Sequence, residues 1–455
     1  MRRTPGTNRL MLAGFACGML LVAGAAAAPT DQRCSPPAYC ARTDRKVETY
    51  TAMPPTLGPA GSIITDPTFG SRIARATDAG TDPQRPDISF FTPASAEQNS
   101  WNTNSTRFFA TNNGGALWLF DFDPNSMKTR VVEKLKMGWK GAQFSFRQPD
   151  ILYGIGGRSG IFQQYDVTQG KVSDIHNATS CTSLKADDWG TNISVSADDK
   201  RLMGVFGPEQ GKNYLVYVYD RDKGCRWYNT QTGEIGGKWG PQGSITAPYR
   251  FGIHDARISK SGEYVEVSGG GQGPIFWHVD TLDVALCANK ENQCWGHHAM
   301  GYAHLVNSFN RRHPLELAER PLNDLKATRQ ILDPPSVIGW YDYHISWNSS
   351  GPEDSNPACF STYRKGNPNT PRAPLVVSGP WENEIDCIEM DGKGSTVWRF
   401  AHTYSTGRNG FWSQPRGNVS PDGRFFMFTS DWQDQLGLQP NKKFYRTDVF
   451  IVELR

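Results

Sequence analysis

The chain has 455 residues, with 48 Lys and Arg against 45 Asp and Glu, so its formal charge is only +3 and its basic residues are dispersed. That balance argues against a phosphate-tracking groove, and nucleic acid is not an expected partner. With 14 Trp, 16 Tyr, 46 Gly and 30 Pro, the composition fits short strands joined by many turns, with aromatics to pack or to stack on sugar rings.

In chain order, MRRTPGTNRL followed by MLAGFACGMLLVAGAAAAPT reads as a signal peptide over residues 1–28, with a basic start, an apolar run and a small-residue cleavage stretch. A membrane anchor is the alternative, but the apolar run is short and rich in Gly and Ala. No later run is long enough to span a bilayer, so the mature chain is expected to be secreted or periplasmic. Residues 29–60 read as a Pro-rich lead-in tied by a disulfide, and residues 61–455 as the main domain. The eight cysteines beyond Cys17 fall into sequence neighbours: Cys34 and Cys40, Cys181 and Cys225, Cys287 and Cys294, Cys359 and Cys387. They allow 105 connectivities. Neighbour pairing is the simplest if the fold is a string of local units, and the absence of any C-x-x-C disfavours metal binding.

From residue 100 onward one local grammar recurs: strand, tight turn, strand. "NVSPDGRFFMF" (418–428) is its clearest copy, with Pro421-Asp422-Gly423 as the turn. "NISVSADDKRLMGVF" (192–206), "DARISKSGEYVEVS" (255–268) and "HISWNSSGPEDSNPACFSTY" (344–363) follow it. Weaker copies are "SWNTNSTRFFA" (100–110), "AQFSFRQPDILYG" (142–154) and "YAHLVNSFNRRHPLEL" (302–317). Helical spacing is approached only from Leu315 to Ile331. Seven units of about 50 residues predict an all-β fold, a seven-bladed β-propeller. "GSRIARATDA" (70–79) is left as an orphan strand, which is expected to close the last blade and hide two sheet edges. A chain of β-sandwiches is the alternative, but it leaves the repeat unexplained.

If each turn follows an innermost strand, the residue four before the serine that opens the turn (Ser420, Ser196, Ser259 and Ser308, with Asn348 in the copy at 344–363) lies near the start of that strand. This offset selects Asn192, Asp255, His304, His344 and Arg416 as a ring of polar side chains around the axis. His254 and Gln414 stand one step toward the rim, and Tyr343 adjoins His344. His297 and His298 are expected in a loop over the rim. Such a ring can simply hydrogen-bond internally and hold water. Two His, an Asp and an Arg at one level also form a chemically useful set.

The SPDG-type hairpins, the blade grammar and the export signal together resemble the secreted seven-bladed propellers that include oligogalacturonate lyase. In that family a metal at one mouth of the channel is held mostly by His, with one Gln, from inner strands of the later blades. The resemblance implies a divalent metal ion on His304, His344 and Gln414. Pro415, Arg416 and Gly417 follow Gln414 where that family carries His. It also implies β-elimination on a uronate-containing oligosaccharide or polysaccharide. That reaction needs a base for the proton next to the carboxylate and a cation for the resulting enolate. Arg416 suits the carboxylate, and His344, Tyr343, Asp255 and His254 are the candidate catalytic groups. Hydrolysis would call for two carboxylates across a cleft, and Asp255 is the one carboxylate on the ring. The competing reading is a propeller without catalysis that binds glycans or proteins at its rim.

Overall fold

A computed structural model describes residue 34 and residues 36–49, 53–184, 188–208, 212–245, 251–269, 273–287, 294–310, 313–332, 342–363, 379–392, 396–408, 410–439 and 443–455. The expected signal peptide, residues 1–28, lies outside the described residues. Among the described residues no helix is long and apolar enough to cross a membrane.

The described residues form seven antiparallel sheets arranged as the blades of a propeller. The innermost strands, blade 1 to blade 7, are Phe90–Phe91, Ala142–Phe144, Trp189–Val195, Ile253–Ile258, Trp295–Met300, Asp342–Ser346 and Gly417–Val419. Each sheet runs outward in chain order except that of blade 7. There Gly417–Val419, Phe425–Ser430 and Asp448–Glu453 are followed by Arg72–Arg75 and then Ile63–Thr65. Ile73 pairs with Val452 and Ala74 with Ile451, so the orphan strand closes the ring as expected. Leu315–Ile331 is not a helix; it falls in two strands of blade 5, His313–Pro321 and Arg329–Leu332.

The alternation of strand side chains builds the contacts between blades. In Phe425–Ser430 of blade 7, Phe426 and Phe428 pack toward blade 6 with Trp398 and Phe400. Phe425 and Met427 pack toward blade 1 with Phe108 and Phe120. A fully buried Phe stabilises such a contact by roughly 1.5–3 kcal/mol, so every blade depends on both neighbours.

The recurring turns are held by their own serines. Ser420 Oγ accepts from the Phe425 amide at 3.0 Å, and Asp422 Oδ1 accepts from the Arg424 amide at 3.1 Å. Ser196 and Ser259 accept in the same way from Arg201 and Tyr264. Gly423 takes φ +69°, a conformation that costs Gly little. All four neighbour cysteine pairs form.

Blade 1 begins earlier than its repeat suggested, at Phe90 rather than near Ser100. Residues between its first two strands cross the axis at the turn end of the inner strands. Asn418 of blade 7 donates to Ala96 O and Gln98 O, Gln98 donates to Ala142 O of blade 2, and Glu97 accepts from the Met300 amide of blade 5. With this segment across one end, the described residues leave the channel as a cup whose mouth is at the start of the inner strands.

Candidate functional site

Three consecutive innermost strands bulge at one level: between Thr191 and Ser194, between Ile253 and Asp255, and between Trp295 and His298. A bulge re-aims side chains out of the alternating pattern. Asn192, with φ +56°, donates to Asp255 Oδ1 at 2.7 Å, and Arg257 Nη2 lies 3.2 Å from the same oxygen. His254 stands exposed beside this pair.

A second group gathers on blades 5 to 7. His344 is buried, and its Nε2–H donates to Gln414 Oε1 at 2.9 Å; in this tautomer the lone pair stays on Nδ1. The His297 ring is 4.1 Å away, centroid to centroid, and the Tyr363 ring stacks at 5.4 Å. Burial, then the neighbouring His297 and Arg416, hold the His344 imidazole well below its ordinary pKa, with Gln414 pulling the other way. His344 is therefore neutral at neutral pH, the protonation state a base requires. Asp342 links the set: its carboxylate lies 3.4 Å from His297 Nδ1 and accepts from the Tyr363 hydroxyl at 3.1 Å. Burial pushes that carboxyl up, but His297, the Tyr343 amide and Tyr363 outweigh it and keep it below the usual value.

Arg416 is the most unusual member. It directly precedes the innermost strand of blade 7 and is fully buried, and its Nε, Nη1 and Nη2 have no hydrogen-bond partner among the described residues. Its guanidinium carbon lies 4.0 Å from the Phe411 ring centre and 5.0 Å from that of Trp412. Burial pushes its pKa down to about 9, against the opposing pull of Tyr363, so it stays charged at neutral pH. A desolvated cation–π contact is worth ~2 kcal/mol, less than the several kcal/mol lost by an unpaired buried ion. The guanidinium is thus a buried cation with its hydrogen bonds unspent.

Deeper in the cup, His298 Nε2 lies 3.2 Å from Glu97 Oε1 and 3.3 Å from Glu266 Oε2. Burial disfavours its charge, but Glu266, Glu97 and Asp255 prevail and raise it to about 10. His298 is thus a fixed imidazolium, and the adjacent His297 on the same strand faces the mouth, its side chain 41% exposed.

The structure brings Asn192, Asp255, His344 and Arg416 to the inner strands, in two pairs flanking the His297–His298 dipeptide. His304 is not among them. Blade 5 turns at Gly301-Tyr302-Ala303, so His304 opens the second strand at the opposite end, where its Nδ1 meets Asp354 Oδ2 at 3.1 Å. Nor does Tyr343 face the site. Strand alternation turns it between blades 5 and 6, into a cluster with Val306 and Leu317, and its hydroxyl donates to His297 O at 2.5 Å. His297 is on a strand rather than in a rim loop. Tyr363, Asp342, Phe411 and Trp412 are the members that the repeat offset misses; strand pairing and a loop deliver them, and the one signal in the sequence is the aromatic pair just ahead of Gln414.

The donor set does not fit a divalent cation. With His304 displaced, His344 and Gln414 engage each other, and the nearby positive charge is the Arg416 guanidinium. Among the described residues no group of three or more His, Cys, Asp or Glu is placed to hold a metal ion.

No protein-family model and no curated protein sequence matches the chain. Solved structures similar to it include an oligogalacturonate lyase in complex with manganese, at TM-score 0.55 and 11% identity, covering 89% of this chain and 99% of that one. The oligogalacturonate lyase of Vibrio parahaemolyticus matches at TM-score 0.54 and 9% identity, covering 89% and 99%. The WD40 repeats of RRP9 match at TM-score 0.46 and 9% identity, covering 87% and 100%. At such identities the likeness shows the architecture, a seven-bladed β-propeller resembling the oligogalacturonate lyase propellers.

Proposed function

We propose that this chain is an exported carbohydrate-active propeller that binds uronate-containing glycans at the mouth of its cup and cleaves them by β-elimination. The observation that carries the reading is the fully buried Arg416 guanidinium, without a hydrogen-bond partner among the described residues and next to a neutral histidine. A uronate carboxylate would pair with Arg416 bidentately, and the same charge would stabilise the enolate as it forms. His344 Nδ1 would take the proton from the carbon next to the carboxylate, with Gln414 fixing the ring. The bond to the leaving oxygen then breaks, a carbon–carbon double bond forms, and the leaving oxygen takes a proton from the His297–Asp342 pair or from solvent. No step uses a metal.

The second reading is a propeller that binds acidic glycans without cleaving them; the aromatic side chains over Arg416 favour it. Incubation with polygalacturonate separates the two. Unsaturated products absorb in the ultraviolet and should appear with the wild type but not with Arg416→Ala or His344→Ala. Binding by calorimetry without any absorbance change would leave the binding module.

A further inference from the structure

Phe411 and Trp412 are large aromatic side chains that stay 41% and 49% exposed, although each lies over a guanidinium with no access to solvent. They sit on the connection between blades 6 and 7, in the short turn Gly410–Ser413. Gly407 and Gly410, both on the N-terminal side of the pair, take φ +59° and +68°, backbone conformations that Gly adopts readily. Trp412 rests on Phe91 of blade 1, centroids 5.0 Å apart, and Phe411 meets the His344 ring edge-on at 6.5 Å. Neither ring belongs to a core cluster of the described residues. Among the described residues, the Phe411 ring is the side chain packed most closely over the guanidinium, its centre 4.0 Å from the guanidinium carbon.

We propose that Phe411 and Trp412 form a displaceable aromatic cover over Arg416, which exchanges its ring contact for a ligand carboxylate while Trp412 stacks on the sugar ring that carries it. The ligand class rests on the reading given under Proposed function; the cover itself does not. In the closed state the rings partly compensate the buried charge, and in the open state the carboxylate does so more fully. A carboxylated sugar offers both an anion and an apolar ring face, so it fits the pair of receptors better than an inorganic anion or a neutral sugar.

The test labels Arg416 with phenylglyoxal in the intact chain and follows the modified peptide by mass spectrometry. Phe411→Ala should be modified about tenfold faster than the wild type, the change that corresponds to losing a contact of ~1.4 kcal/mol. Equal rates would overturn the cover, whatever any glycan does. Trigalacturonate should protect Arg416 in both proteins; failure to protect in Phe411→Ala would overturn the uronate reading and leave the cover standing. Trp412→Ala should weaken trigalacturonate binding about fivefold, within the range of one aromatic contact, and leave sulfate binding unchanged. An unchanged affinity for trigalacturonate would overturn the stacking role.

Discussion

Replacing Arg416 with Met should make the protein more stable while removing its anion receptor. Methionine keeps the length of the side chain and its contact with Phe411 and Trp412, but carries no charge to desolvate. The fall of the guanidinium from its ordinary value to about 9 corresponds to ~5 kcal/mol against the charged form, at 1.36 kcal/mol per pKa unit. The cation–π contact returns ~2 kcal/mol, leaving a net cost of ~3 kcal/mol. Replacement of buried ionic groups by apolar ones of similar volume stabilises proteins by about 1–4 kcal/mol, the same range. Guanidinium chloride unfolding of the two proteins at pH 7 measures the difference directly, with the midpoint of Arg416→Met moving upward. A variant less stable than the wild type by more than about 1 kcal/mol would mean that Arg416 has structural partners, and the anion-receptor argument would fail.

Three further outcomes follow from the same geometry. His344→Ala should abolish turnover with little change in melting temperature, and the acid limb of the wild-type kcat/KM profile should lie below the ordinary imidazole range, because burial keeps the ring neutral; a limb at or above pH 7 would assign the base elsewhere. The His298 imidazolium is raised to about 10, so its contribution to stability is fully present below about 6.5, its unfolded value, and is lost as pH rises through 10. Glu97→Gln should therefore destabilise the chain most near pH 6 and least above pH 11, and a pH-independent difference in urea unfolding would refute the Glu97–His298 ion pair. Deleting residues 61–80 removes the two outer strands of blade 7 and should give insoluble protein; a soluble truncation of equal heat stability would mean that the ring closes in another way.

The blades were legible because their signals are local. Ser420, Ser196 and Ser259 each cap a turn with an amide five residues on, and the hydrophobic alternation on either side names the strands. The offset from those turns therefore locates Asn192, Asp255 and Arg416, and the same offset from Asn348 locates His344. It failed in blade 5 because Gly301-Tyr302-Ala303 lacks a capping serine. Asp354 of blade 6 supplies the acceptor there, taking the amides of Tyr302, Ala303 and His304. A partner about 50 residues away leaves no mark beside the turn. The same reason hides Tyr363, which reaches His344 because it pairs with Asp342 across the hairpin, and Glu97, which reaches His298 from blade 1. Arg416 was visible as a residue, but its burial without partners is a property of the assembled ring.

The source of positive charge at the mouth distinguishes Arg416 from a bound metal most directly. The decisive measurement is the initial rate of ultraviolet-absorbing product formation from polygalacturonate, with the protein dialysed against a strong chelator and then with manganese restored. If Arg416 supplies the charge, the two rates are equal and both vanish in Arg416→Ala. A rate lost to the chelator and recovered with manganese would contradict the account, as would full activity in Arg416→Ala.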